Sequence, residues 1–129
     1  MTALPSAFRL DGQVALVTGA SRGIGREVPA TPAGASASVV GTATREDGAA
    51  EITRALAAAG TRGRGVVLDV AQPAQIDAVL ADVERHEGAI TVLVNNAGIT
   101  RDNLLLRMKP EDWDAVLNTN LSSVFRLSK

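Results

Sequence analysis

Thr18-Gly19-Ala20-Ser21-Arg22-Gly23-Ile24-Gly25 concentrates glycine, a hydroxyl and a cation in eight residues, the types that can hold a phosphate. Glycine permits a tight turn and lets a ligand approach the backbone closely. A helix starting at such a turn aims its unpaired N–H groups and the positive end of its dipole at an anion. The preceding Val14-Ala15-Leu16-Val17 carries no charge, as a strand covered on both faces requires. Strand, glycine turn and helix in this order form the usual first βα turn of a dinucleotide-binding fold. A glycine-rich turn is also a common structural turn, so the assignment needs a second element.

That element is Asn95-Asn96-Ala97-Gly98, about 70 residues on, after the apolar run Ile90-Thr91-Val92-Leu93-Val94. Small residues let a flat ring or a ribose come close, and asparagine side chains both donate and accept. For the two motifs to meet, the chain between them must build a sheet. Ala37-Ser38-Val39-Val40-Gly41-Thr42-Ala43 is β-branched and short enough for a second strand, and Gly65-Val66-Val67-Leu68-Asp69-Val70 for a third. Between them Ile52, Ala55, Leu56 and Ala59 recur at helical spacing, with Asp47 placed to cap the helix and Gly60 to stop it. Pro73 suits the first turn of the next helix, which carries Ile76, Val79, Leu80 and Val83 on one face and closes at Gly88. Pro110-Glu111-Asp112 opens a last helix with Trp113, Val116, Leu117, Leu121, Val124 and Phe125 at helical spacing. Alternation of strand and helix with right-handed crossovers predicts an α/β fold: a Rossmann-type parallel sheet of order 3-2-1-4, helices on both faces, in one domain over residues 1–129. Residues 1–8 are expected to be a flexible leader.

Composition narrows the functions. The chain has no cysteine and one histidine, which removes disulfides, thiolate metal sites and cysteine nucleophiles, and fits a reducing cytoplasm. His86, between Arg85 and Glu87 near a helix end, reads as a solvated residue rather than a ligand. A net charge of −1 with interspersed signs offers no basic face to a nucleic acid. No apolar run approaches the ~18 residues that span a bilayer. A soluble, cytoplasmic chain without nucleic-acid or membrane partners is expected.

The pattern breaks once. The helix after the glycine turn should run from near Gly23 to about Ala35, yet Pro29 and Pro32 fall inside it. A proline inside a helix removes a hydrogen bond and costs about 3 kcal/mol, less if the helix ends early. Two explanations stand: a short first helix followed by an irregular link, or two compensating frame shifts in the coding DNA between about Glu27 and Ser38.

Thr18-Gly19-x-x-x-Gly23-x-Gly25 combined with Asn95-Asn96-Ala97-Gly98 resembles the short-chain dehydrogenase/reductase family over nearly the whole chain. Within it, Asn96 to Asn103 and Asn118 to Lys129 are similar to the reductases of 3-oxoacyl thioesters in bacterial fatty-acid synthesis, with acetoacetyl-CoA reductases as the alternative. The resemblance implies an oxidoreductase acting on a thioester of acyl carrier protein or coenzyme A. It also implies that Gly19, Ser21, Arg22, Gly23, Ile24 and Gly25 surround the pyrophosphate and adenosine ribose of the cofactor. Asp69 and Val70 would flank the adenine, and Asn95, Ala97 and Gly98 would approach the cofactor. Asn120 matches the family's active-site asparagine, which helps hold a water in a proton relay and bends its helix; a buried asparagine satisfying helix backbone is the alternative.

Charge bears on the cofactor. An NAD-preferring site places an acid after the second strand. Here Thr44-Arg45 stands there, and with Arg22 it suits the 2′-phosphate of NADP(H), which is the expected cofactor; Asp47 could be the acid, but capping is its expected role. The resemblance further implies a Tyr-x-x-x-Lys pair and a serine as the proton source. The chain has no tyrosine, and neither Lys109 nor Lys129 lies in that motif. These residues are therefore expected to be the N-terminal half of a reductase, inactive alone and homo-oligomeric at full length, or else a noncatalytic chain that binds nucleotide or pairs with an intact subunit. Thr100, Arg101 and Asp102 could line a substrate entrance or form a solvated loop.

Overall fold

In the computed structural model, which describes residues 5–22, 26–27 and 29–129, the uncharged run Val14–Val17 becomes strand β1 with all four residues buried. It pairs in parallel with β2 (Ser38–Ala43) on one side and β4 (Val92–Val94) on the other, and β2 pairs with β3 (Gly63–Val67). The order is β3-β2-β1-β4, that of a Rossmann-type α/β sheet. Period-two alternation divides the inner strands between two cores. Ala15, Val17 and Val39 point to one face, where Ile52 and Leu56 of helix α2 (Glu46–Ala58) cover them. Val14, Leu16 and Val40 point to the other, beneath Ile76 and Val83 of α3 (Pro73–His86). Full burial of a side chain such as Ile76 contributes roughly 1.5–3 kcal/mol, so these two cores hold the sheet between its helices.

Several boundaries differ from expectation, each for a local reason. The third strand starts two residues earlier and ends at Val67, because Asp69 turns the chain: its carboxylate accepts the Ala71 N–H at 2.9 Å and its carbonyl accepts the Gln72 N–H at 3.0 Å. Asp47 does not cap α2. The helix begins at Glu46 after Arg45, and Asp47 lies inside the first turn, accepting the Gly48 N–H at 3.0 Å and pairing with the Arg45 guanidinium at 3.2 Å. Arg26 and Glu27 are helical, and beyond the buried Pro29 helix α1 spans Ala30–Gly34. Pro32 is its third residue, where the missing N–H would have no partner within the helix anyway. Gly23, Ile24, Gly25 and Val28 lie outside the described residues, as do the first four residues of the expected leader; Ser6–Phe8 form a 3₁₀ turn.

The helix expected from Pro110 is interrupted. Helix α4 (Pro110–Leu117) passes through a turn of π-helix, Asn118–Ser122, into α5 (Ser123–Ser128). Leu127 of α5 joins the second core. Among the described residues no helix is long and apolar enough to cross a membrane.

The outer strand β3 is tied to the end of α3 by one side chain. Arg64 donates to Glu87 at 2.7 and 3.1 Å and to Asp82 at 2.8 Å. The hydrogen bond from Arg64 holds the Asp82 carboxyl below its ordinary value of 3.8. A carboxyl depressed in the folded state contributes stability that is complete above the unfolded value and lost as pH falls through the folded one. Acidification below about pH 4 should therefore destabilise the protein, and Arg64→Gln should make that acid dependence shallower. Urea unfolding across this range checks it; equal pH slopes for the two proteins would refute the linkage.

Candidate functional site

The carboxyl ends of all four strands open into one cleft of about 720 Å³, within the range of small-molecule sites. Gly19, Ser21 and Arg22 after β1, Thr44 after β2, Asp69 and Val70 after β3, and Ala97 and Gly98 after β4 lie on its wall. Parallel strands bring these residues together although they are scattered over 80 positions of sequence, from Gly19 to Gly98. A smaller recess of about 280 Å³ shares Ser21, Arg22, Ala43 and Thr44 with the cleft and adds Arg45, Asp47, Glu51 and Arg54.

Two backbone features set the near lip. Gly19 takes φ +63°, and a Cβ on it would meet Ala97 Cα at 2.8 Å, so glycine is required both for the turn and for the approach of the two loops. The Gly19 N–H donates to Thr42 Oγ1 at 3.2 Å and the Ala20 N–H to the Thr42 carbonyl at 2.8 Å. Those two amides are thus occupied within the fold, which leaves Ser21 and Arg22 as the following described loop residues on the cleft wall.

Thr18 and Asn96, which sequence reasoning named only as parts of motifs, join the lips. Thr18 is buried, and its hydroxyl accepts the N–H groups of Asn96 at 3.1 Å and Ala97 at 3.0 Å. Asn96 returns the contact, its side-chain amide donating to the carbonyls of Thr18 at 3.2 Å and Gly19 at 3.0 Å. A threonine ending one strand and an asparagine just past its neighbour was the available signal. Asn95 is not on the cleft wall: it is exposed, with its amide donating to Ser128 Oγ at 3.5 Å. Successive side chains of an extended segment alternate, so Asn96 turns inward where Asn95 turns out.

The far wall comes from the interrupted helix. Ala115, Asn118 and Thr119 face the cleft, and the Asn118 amide donates to the Ala71 carbonyl at 3.1 Å while its carbonyl oxygen accepts from Arg126 at 2.7 Å. Asn120 is exposed and turned to the loop after β4. Its amide donates to the Ile99 carbonyl and its oxygen accepts the Ile99 N–H, both at 2.8 Å. Asn120 lies in the π-helical turn that interrupts its helix, and because it is exposed and bonds a neighbouring loop, it is not the buried asparagine satisfying its own helix backbone. Arg101 also lines the cleft, whereas Arg45 lies in the recess, paired with Asp47.

A parallel sheet of this order with a glycine turn and an asparagine loop at its carboxyl edge defines a Rossmann-type fold of the dinucleotide-binding class. Residues 13–129 match the short chain dehydrogenase family, and the chain belongs to it. Membership implies a nicotinamide cofactor. The chain is 56% identical over 122 residues to the 3-oxoacyl-[acyl-carrier-protein] reductase FabG of Escherichia coli (strain K12), covering 95% of this chain and 49% of that protein. It is 53% identical over 122 residues to the enzyme of that name from Vibrio cholerae, covering 95% and 49%, and 52% identical over 120 residues to the one from Pseudomonas aeruginosa, covering 93% and 49%. The chain spans about half the length of the curated relatives it matches.

Thr18→Val would leave two amides at the cleft lip without their acceptor. It should lower unfolding free energy by about 2–4 kcal/mol, against less than about 1 kcal/mol for Thr18→Ser. Denaturant unfolding measures both, and equal effects would refute the hydroxyl's role. Asn120→Ala should release the loop after β4, raising hydrogen exchange at the Ile99 amide by at least about tenfold relative to amides of β1, since an opening free energy reduced by 1.4 kcal/mol is a tenfold change. Unchanged exchange at Ile99 would show that the clasp does not hold the loop.

Proposed function

We propose that this chain is the cofactor-binding half of an NADPH-dependent reductase that converts 3-oxoacyl thioesters to 3-hydroxyacyl thioesters in fatty-acid synthesis. The observation that carries this reading is the cleft at the carboxyl edge of the sheet, with a recess beside Ser21, Arg22 and Thr44 whose lining carries three arginines against two carboxylates, Asp47 and Glu51. The identity to the 3-oxoacyl-[acyl-carrier-protein] reductases supports the substrate class.

In this reading Gly19, Ser21 and Arg22, with Gly23, Ile24 and Gly25, take the pyrophosphate and the adenosine ribose. Thr44 and Arg45 take the 2′-phosphate, a hydroxyl and a guanidinium suited to a dianion. Asp69 and Val70 flank the adenine where the chain turns after β3. Ala97 and Gly98 let the nicotinamide ribose approach the backbone, with Asn95 nearby. The bound nicotinamide supplies the hydride. Asn120 acts by holding Ile99, and with it the loop that borders the substrate side. The 129 residues contain no tyrosine, so in this reading the Tyr-x-x-x-Lys proton source that the family resemblance implies lies outside them.

The exposed Leu105, Leu106, Leu121 and Phe125 support a homo-oligomer as the working state, because an apolar surface of this kind favours association. A cysteine-free chain fits the cytoplasm as the place of reaction.

Equilibrium titration of the 129-residue chain should give NADPH at least about tenfold tighter binding than NADH, the equivalent of one charge-assisted bond; the reverse order would overturn the cofactor. The same chain mixed with NADPH and an acetoacetyl thioester should show no NADPH oxidation, and measurable turnover would overturn the placement of the proton donor.

A further inference from the structure

Gly48 is the third residue of α2, at a position where alanine is the better helix former. Its backbone is held against two elements at once. A Cβ there would lie 2.9 Å from Ala43 Cβ, at the end of β2, and 3.2 and 3.4 Å from Ser21 Cβ and Oγ in the glycine turn. The first distance is closer than two carbon atoms tolerate, and the atoms on the other side belong to a strand and a turn rather than to a flexible side chain. Any side chain at 48 must therefore lift the first turn of α2 from β2 or displace Ser21. Ser21 and Ala43 line both the cleft and the recess, and Gly48 lines the recess beside Arg45.

We infer that Gly48 is a positioning residue for discrimination at the ribose 2′-position: lacking a side chain, it seats α2 against Ser21 and thereby sets how Ser21, Thr44 and Arg45 converge on a phosphate ester. The inference rests on the cofactor reading proposed above and extends it to a residue with no polar side chain. Other glycines packed under α2 serve the sheet instead. A Cβ on Gly65 would strike the Ala49 carbonyl, and one on Gly41 would meet Ile52 at 2.9 Å.

The test uses the two halves of the distinction as probes, adenosine 2′,5′-bisphosphate and 5′-AMP, titrated into the 129-residue chain. The quantity read is the ratio of their dissociation constants. Gly48→Ala should lower the preference for the bisphosphate about tenfold, the loss of one charge-assisted contact. Adding Ala43→Gly to Gly48→Ala removes the nearest atom from the crowded gap and should restore most of the preference. A purely structural role would weaken both probes alike and leave the ratio unchanged, which would overturn the inference; so would a ratio that the second substitution fails to recover. A wild-type chain with no preference for the bisphosphate would remove the cofactor reading itself, and the inference with it. If Gly48→Ala does not fold, Ala43→Val crowds the same gap from the strand side, and an unchanged ratio in that variant overturns the inference.

Discussion

The cleft depends on the contact between Thr18 and the loop after β4. Parallel neighbouring strands end side by side, yet nothing in strand pairing dictates how the chains that leave them are arranged. Here one buried hydroxyl accepts two consecutive amides, Asn96 and Ala97, while Asn96 donates back to Thr18 and Gly19. Four part-buried hydrogen bonds thus lock the two exits in one relative position, where an unmet buried amide costs about 1–3 kcal/mol. With Gly19 pressed on Ala97, the start of the glycine turn and the asparagine loop form a single lip.

That lip is anchored from below by the sheet. Thr42, fully buried in β2, accepts the Gly19 N–H through its hydroxyl and the Ala20 N–H through its carbonyl, so the glycine turn is attached to the second strand as well as to the fourth. Helix α2 then rests on the same strand through Ile52 and Leu56, and its position fixes the recess that holds Arg45. Each link joins a core residue to a residue at the cleft or recess. Packing in the core is in this way transmitted to the geometry of the site.

Much of this was legible in the sequence because two kinds of signal agreed. Uncharged β-branched runs marked β1, β2 and β4, and helical spacing of Ile76, Val79, Leu80 and Val83 marked α3; together they specify the strand order through the right-handed crossover. The family was legible for a different reason, since the glycine turn and Asn95-Asn96-Ala97-Gly98 are each common but rarely found together. What stayed hidden depends on contacts between distant positions. Which of Asn95 and Asn96 turns inward depends on how the chain leaves β4, and nothing in the pair itself distinguishes them. The end of β3 was misplaced because Leu68 and Val70 are buried like strand residues, although Asp69 between them has already turned the chain. Asp47 has the right chemistry for a cap, but the helix already begins at Glu46, which puts the Asp47 carboxylate in the first turn, where it pairs with Arg45.

The interruption between α4 and α5 has a physical logic of its own. A continuous α-helix repeats its faces every 3.6 residues, so the side chains that line the cleft at one end determine which side chains reach the core at the other. Both demands are present here: Ala115, Asn118 and Thr119 border the cleft, and Leu127 is buried against the sheet. A π-helical turn includes an additional residue and rotates everything beyond it by about a quarter turn, which separates the two demands. The widened turn leaves carbonyls that the helix no longer satisfies in the regular way, and Ser123, buried, donates its hydroxyl to the Thr119 carbonyl. The two asparagines within the turn then bond outward, Asn118 to the loop after β3 and Asn120 to the loop after β4. A helix that would otherwise only cover the sheet in this way clasps two of the loops at its carboxyl edge, and the far wall of the cleft shares with the near one its attachment to the loop after β4.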